Sequence, residues 1–293
     1  MRTTITRAAL AEAAQAVKGL VSKDGLSAFS KVRLDASGCL SVTGSNGDVQ
    51  VEWRLDGEVA ERGTATVPGA AFASFVGALP EGKVEIDGKA GTKVKMSCCG
   101  VVFKLAAGEA ADFPVMAGPK AEARAKLRLP CLTLREMLRK VKFAVSTDTT
   151  RKNLGGVNID LKDGMLGMTA TDGRRLAHVD MEITPDGAGG SGQCNTTLPT
   201  KTVAILYGLL ERMDEDNDVD VVFDRSAVRI VGGTWCLTAK VLEEIYPNWQ
   251  KVVPEKPRAQ QGFFFEMLET PAVGGEGRGD ESPRAEQESE VKE

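Results

Sequence analysis

The strongest constraint in this chain is an order of elements that occurs twice. In the first copy, residues 8–21 set Leu10, Ala14, Val17 and Val21 on one helical face. Alternating segments at 28–34, 39–44, 49–55 and 63–67 then read as strands, separated by Asp/Asn/Ser/Gly turn signals. Pro68 suits the first turn of a helix at 70–79, because its fixed φ is already helical and the N–H it lacks would have no partner there. Strands at 84–87, 93–98 and 101–106 follow, and the copy closes on Phe113-Pro114.

The second copy repeats that order. A strand at 127–129 leads into a helix at 133–145, with Leu134, Leu138 and Val141 on one face and Thr133 with Glu136 placed as a capping box. Strands are predicted at 156–161, 165–171 and 176–183, the first pair joined by an Asp163-Gly164 hairpin turn. A Gly-rich loop at 186–192 precedes a strand at 194–198, and Pro199 opens a helix at 200–213. Strands at 219–224, 227–231 and 234–242 end on Tyr246-Pro247. A repeat of roughly 125 residues predicts an α+β protein of two repeated domains, 1–121 and 122–254, each an antiparallel sheet packed on two helices. Residues 255–293 start no complete third copy, and from Gly274 onward the Gly/Glu/Ser/Arg composition predicts disorder.

Length agrees with that division: 293 residues suit two domains of about 100–200 each. Aromatics are only 5% of the chain, so the cores must rest on aliphatic side chains. No apolar run reaches the roughly 18 residues of a membrane span, and the N-terminus lacks the apolar region of a secretion signal, so a cytoplasmic location is expected. The cysteines (39, 98, 99, 131, 194 and 236) form no CxxC pair and the chain has one histidine, which argues against a zinc site. Buried, reduced thiols are expected instead, with Cys98 and Cys99 on opposite faces of a strand. No metal or cofactor is predicted. Net charge is −4, yet residues 276–293 alone hold seven acidic and three basic residues. The remaining body is near neutral, which leaves room for a local basic stripe.

Several motifs resemble the bacterial DNA sliding clamp family, the DNA polymerase III beta subunit. They are Phe143-Ala144-Val145-Ser146, Arg151 with Leu154-Gly155-Gly156-Val157, and Ala170-Thr171-Asp172-Gly173 with Arg175-Leu176-Ala177. Thr66-Val67-Pro68, Leu79-Pro80-Glu81-Gly82, Ala111-Asp112-Phe113-Pro114 and Tyr246-Pro247 with Val252 and Pro254 match as well. The resemblance covers about residues 1–254 and implies the DNA clamp fold. It implies a processivity factor, not an enzyme, that encircles double-stranded DNA and tethers replication and repair proteins. Family members close a ring of six such domains. With most or all of a third domain missing here, a ring would take three copies of this chain. The alternative is a shortened clamp paralogue that acts as a protein-interaction module without encircling DNA.

The resemblance also implies two surfaces. A clamp meets phosphates with basic helices without reading bases, and the DNA-facing candidates are Lys18, Lys23, Arg135, Arg139, Lys140, Lys142, Lys152 and Lys201. A cleft for short hydrophobic peptides of the replicative polymerase, clamp loader and repair proteins would use Leu154, Thr171, Gly173, Arg174, Arg175, Leu176, Pro247, Lys251 and Val252. Arg174 stands where the family usually has His, and Lys251 where it usually has Arg, which alters the rim chemistry. Gln260-Gln261-Gly262-Phe263-Phe264 resembles a clamp-binding peptide. The loop at 186–192 has no Lys-Ser/Thr at P-loop spacing, and Asp214–Asp218 lacks the Gly and closing Glu of a calcium loop. Asp172 has no catalytic partner at recognisable spacing, so it is expected to brace its turn through backbone amides.

Overall fold

The computed structural model describes residues 1–22, 28–119, 123–183 and 190–253. These fall in two compact units, Met1–Trp249 and Gln250–Glu293. In the first unit the chain runs β1 (Arg2–Thr6), α1 (Arg7–Lys18), β2 (Lys31–Asp35), β3 (Leu40–Ser45), β4 (Val49–Leu55), β5 (Glu58–Glu61), β6 (Thr64–Pro68) and α2 (Gly69–Ala78). It continues through β7 (Lys83–Gly88), β8 (Lys93–Cys98) and β9 (Val101–Ala106). The order then recurs as β10 (Ala125–Pro130), α3 (Cys131–Val141), β11 (Gly156–Lys162), β12 (Met165–Thr171), β13 (Leu176–Glu182), β14 (Gly190–Gly192), β15 (Cys194–Pro199) and α4 (Thr200–Leu210). It ends with β16 (Asp218–Phe223), β17 (Ala227–Gly232) and β18 (Trp235–Lys240).

The strands form three antiparallel sheets. One has the order β5-β1-β7-β8-β9, one β14-β10-β16-β17-β18-β4-β3-β2-β6, and one β13-β12-β11-β15. The predicted α+β class therefore holds, but the strands of each copy divide between two sheets. The nine-stranded sheet passes from the second copy into the first through a β18–β4 pairing, where Trp235 lies opposite Trp53, Leu237 opposite Val51 and Ala239 opposite Val49. Both tryptophans are buried, so the joint is held by side-chain packing as well as by its ladder. Among the described residues, two sheets end on strands without a further neighbour that match the joined pair in topology. These are β9, the counterpart of β18, and β13, the counterpart of β4.

The helices start where the chemistry of the preceding residue stops a strand. Pro68, Pro130 and Pro199 each hold φ between −59° and −56° immediately before α2, α3 and α4, and each lacks the N–H that would extend pairing. The capping box at Thr133 and Glu136 is overturned. The helix begins two residues earlier, at Cys131, whose N–H donates to Asn217 O at 2.7 Å. Glu136 pairs with Arg139 instead. Among the described α-helices only α1 has a side-chain cap, Thr6 Oγ1 accepting from Ala9 N. The Asp163-Gly164 turn has φ of +52° and +79°, the pattern of a type I′ hairpin.

The thiol prediction needs two corrections. Cys39 and Cys99 are exposed, while Cys98, Cys131, Cys194 and Cys236 are buried. Cys99 is also not in a strand. It sits at φ +48° in the turn after β8, so it does not oppose Cys98 across a sheet. Among the described residues no helix is long and apolar enough to cross a membrane.

Candidate nucleic-acid and peptide interfaces

The four α-helices among the described residues carry a charge bias that the chain as a whole does not. Their basic residues are Arg7, Lys18, Arg135, Arg139, Lys140 and Lys201, against two carboxylates, Glu12 and Glu136. The chain is net −4. Not all of this charge is equally available. Arg135 is largely buried and paired with Glu215, and Arg139 pairs with Glu136 at 2.8 Å. Lys142 lies past the end of α3 with its Nζ 3.1 Å from the centre of the Tyr207 ring, a cation–π contact. Lys18, Lys152 and Lys201 are exposed and Lys140 is half-exposed. Lys23 lies outside the described residues.

The second candidate surface is built on the turn between β12 and β13. Asp172 Oδ1 accepts from the backbone N–H groups of Arg174 and Arg175 at 2.9 and 3.0 Å, and its Oδ2 accepts from Arg175 Nε at 3.0 Å. Those two amides, together with the Arg175 charge, hold the Asp172 carboxyl below its usual range. Thr171 Oγ1 donates to Arg175 O at 2.7 Å and accepts from Gly173 N at 3.1 Å. Gly173 is at φ +86°, and a Cβ there would come 2.8 Å from Arg151 Nη1. The turn is thus closed by its own polar groups, which leaves Arg174 and Arg175 exposed and Leu176 half-buried.

Aromatic side chains lie beside this turn and its hairpin. The Arg175 guanidinium lies over the Phe143 ring, 5.6 Å from its centre, and Phe143 is 57% exposed. Leu154 is buried in a short turn whose carbonyl accepts from Ser146 N. The segment ending the first unit returns to the same hairpin. Trp249 stacks on His178 of β13 with ring centres 4.1 Å apart. The buried Tyr246 phenol is pushed up to about 12 by burial, with the Thr171 main chain opposing that shift. Pro247, between them in sequence, is exposed. His178 Nδ1 is 2.8 Å from Thr169 Oγ1, and burial lowers its pKa against the pull of Asp180.

The structure therefore brings together Thr171, Gly173, Arg174, Arg175 and Leu176 in one turn, and buries Leu154 in the separate turn Lys152–Leu154. Lys251 and Val252 belong to the second unit, in a short turn Trp249–Val252 where Val252 is largely exposed. The peptide-like segment at 260–264 lies outside the described residues, as does most of the Gly-rich loop at 186–192, although its end forms β14. Sequence reasoning did not assign Phe143, His178, Tyr246 or Trp249 to this surface. Phe143 carried a signal, since it opens the Phe-Ala-Val-Ser motif, but its exposure is a tertiary fact.

Two family models match this chain. The DNA polymerase III beta subunit N-terminal domain matches residues 1–117, and the central domain of the same subunit matches residues 128–248. The chain belongs to the DNA polymerase III beta subunit family. Among its relatives, the beta sliding clamp of Halalkalibacterium halodurans is 29% identical over 78% of this chain and 60% of its own length. That of Chlamydia pneumoniae is 27% identical over 73% of this chain and 56% of its own. The chain thus spans 56–60% of the length of these two relatives. Among solved structures, the DNA polymerase III subunit beta of Pseudomonas aeruginosa superposes with a TM-score of 0.78 at 28% identity, over 87% of this chain and 69% of that one. The C. crescentus beta sliding clamp gives 0.78 at 29% identity, over 87% and 68%.

Proposed function

We propose that this beta-subunit chain is a DNA polymerase processivity factor that encircles duplex DNA and tethers replication and repair proteins without catalysing a reaction. Residues 1–121 and 122–254 are read as its two clamp domains. The observation that carries the reading is the charge contrast between basic helices and an acidic chain. A protein that slides needs cations that meet phosphates at any sequence and little that reads base edges. The lysines that supply this contact are Lys18, Lys140, Lys152 and Lys201, with Lys23, Lys142, Arg135 and Arg139 as further candidates.

The sheet topology supports assembly into a ring. The β18–β4 joint is a head-to-tail contact between the two copies, and β9 and β13 are the same two half-joints left open. The β9 edge exposes Val101 and Val102 at its start and Lys104 further along, and Phe103 between them stacks on Phe75 of α2. Repeated heterologous contacts of this kind close a ring when the rotation permits. Three copies of this chain would supply six domains. The Thr171–Leu176 turn, with Phe143 and Leu154, supports a docking surface for a short hydrophobic peptide ending in a polar or acidic group that Arg174 and Arg175 would hold.

Light scattering at several protein concentrations tests the assembly. A mass of three chains that holds on dilution is the expected result. A single-chain mass at every concentration would contradict self-closure and favour the second reading, an interaction module that binds peptides without encircling DNA.

A further inference from the structure

The turn that follows β8 brings two thiols together. Cys98 pairs with Val101 across the hairpin, which leaves Cys99 and Gly100 as a two-residue turn at φ +48° and +83°. A non-glycine residue at positive φ is uncommon, and here that conformation swings the Cys99 side chain back over Cys98. Their sulfurs are 3.8 Å apart. Both sit against one glycine: a Cβ on Gly82 would lie 3.0 Å from Cys99 Sγ and 3.3 Å from Cys98 Sγ. Each thiol donates to a successive carbonyl, Cys98 Sγ to Pro80 O at 3.3 Å and Cys99 Sγ to Glu81 O at 3.5 Å. Cys98 is buried and Cys99 exposed.

We infer that Cys98 and Cys99 form a thiol modification site, at which a hydroperoxide oxidises exposed Cys99 and buried Cys98 resolves it to a vicinal disulfide. The Cys99 thiolate attacks the hydroperoxide, so an S–O bond forms, the O–O bond breaks, and the departing alkoxide or hydroxide takes a proton. The Cys98 sulfur then attacks the sulfenic sulfur. An S–S bond forms, the S–O bond breaks, and the oxygen leaves as water with the Cys98 proton. In sum, two thiols and one hydroperoxide give one disulfide, one alcohol or water, and one water. Burial and the adjacent Cys99 thiol hold Cys98 protonated, so the order of attack is set by environment: the accessible sulfur reacts first and the shielded one second. Adjacent residues bring their Cα atoms closer than most disulfides allow, which makes the bond strained and readily reduced. The lone buried thiols Cys131 and Cys194, pushed up by burial, are the internal controls that should not respond.

The test uses the full chain, hydrogen peroxide at a small molar excess, alkylation of remaining thiols, and mass spectrometry of the tryptic peptide 96–104. The expected peptide is lighter by two hydrogens, carries no alkyl group, and accepts two after a dithiol reductant. In Cys99→Ser the same dose should leave Cys98 fully alkylated. Two alkyl groups on the peroxide-treated wild-type peptide would overturn the inference. So would a Cys99 carried to the sulfinic acid beside a Cys98 that still alkylates, because no resolution would then have occurred.

Discussion

At the scale of single residues, the turn between β12 and β13 works because one carboxylate satisfies two amides and orients one guanidinium. Replacing Asp172 by Ala removes all three contacts and frees Arg175 from its place over Phe143. The expected outcome is a loss of affinity for a hydrophobic peptide, read by fluorescence polarisation, with the unfolding transition little changed. Gly173→Ala forces a Cβ into left-handed backbone and against Arg151, a cost of about 1–2 kcal/mol, visible as a lower denaturant midpoint. His178 supplies a pH dependence. Its folded pKa is below the ordinary 6.5 because desolvation of its partly covered ring outweighs the pull of Asp180, so the unfolded chain binds the proton more tightly. That contribution to stability is complete above about pH 6.5 and is lost as pH falls toward the folded value. Trp249 emission should change over that window, and His178→Phe should abolish the change. The sequence made Asp172 legible, because an Asp followed by Gly and two arginines is turn chemistry. It hid His178 and Trp249, which lie 71 positions apart and meet only through the fold.

At the scale of elements, strand and helix order was readable because proline and hydrophobic period act locally. Pro68 and Pro199 marked α2 and α4 for that reason. The capping box misled because Thr133 and Glu136 have the right spacing, whereas the helix already starts at Cys131, whose N–H donates to Asn217 O of a distant loop, and Thr133 is inside its first turn. Strands β1, β5 and β14 escaped notice. They are short and polar, or glycine-rich, and exist because a neighbouring strand offers them a ladder. The β18–β4 joint is likewise a pairing no local pattern announces. Trp235→Ala at that joint should cost about 3–5 kcal/mol, seen calorimetrically. At the open β9 edge, Val102→Asp changes an exposed residue. It should preserve the melting temperature while shifting the scattering mass toward one chain.

At the scale of the whole molecule, a chain that is net acidic presents helices that are net basic, and the proposed ring would concentrate those helices on the phosphates it surrounds. Substituting Lys18, Lys140, Lys152 and Lys201 by Ala should weaken DNA binding at every sequence and flatten its salt dependence, since each phosphate contact contributes roughly 0.9 to the slope of log affinity against log salt. Affinity alone does not distinguish a ring from a basic patch. The decisive measurement is retention on nicked circular DNA during gel filtration at raised salt, before and after one cut linearises the circle. The account predicts that protein stays with the circle and is released by the cut. Equal retention on circle and line, or release from both, would contradict encirclement.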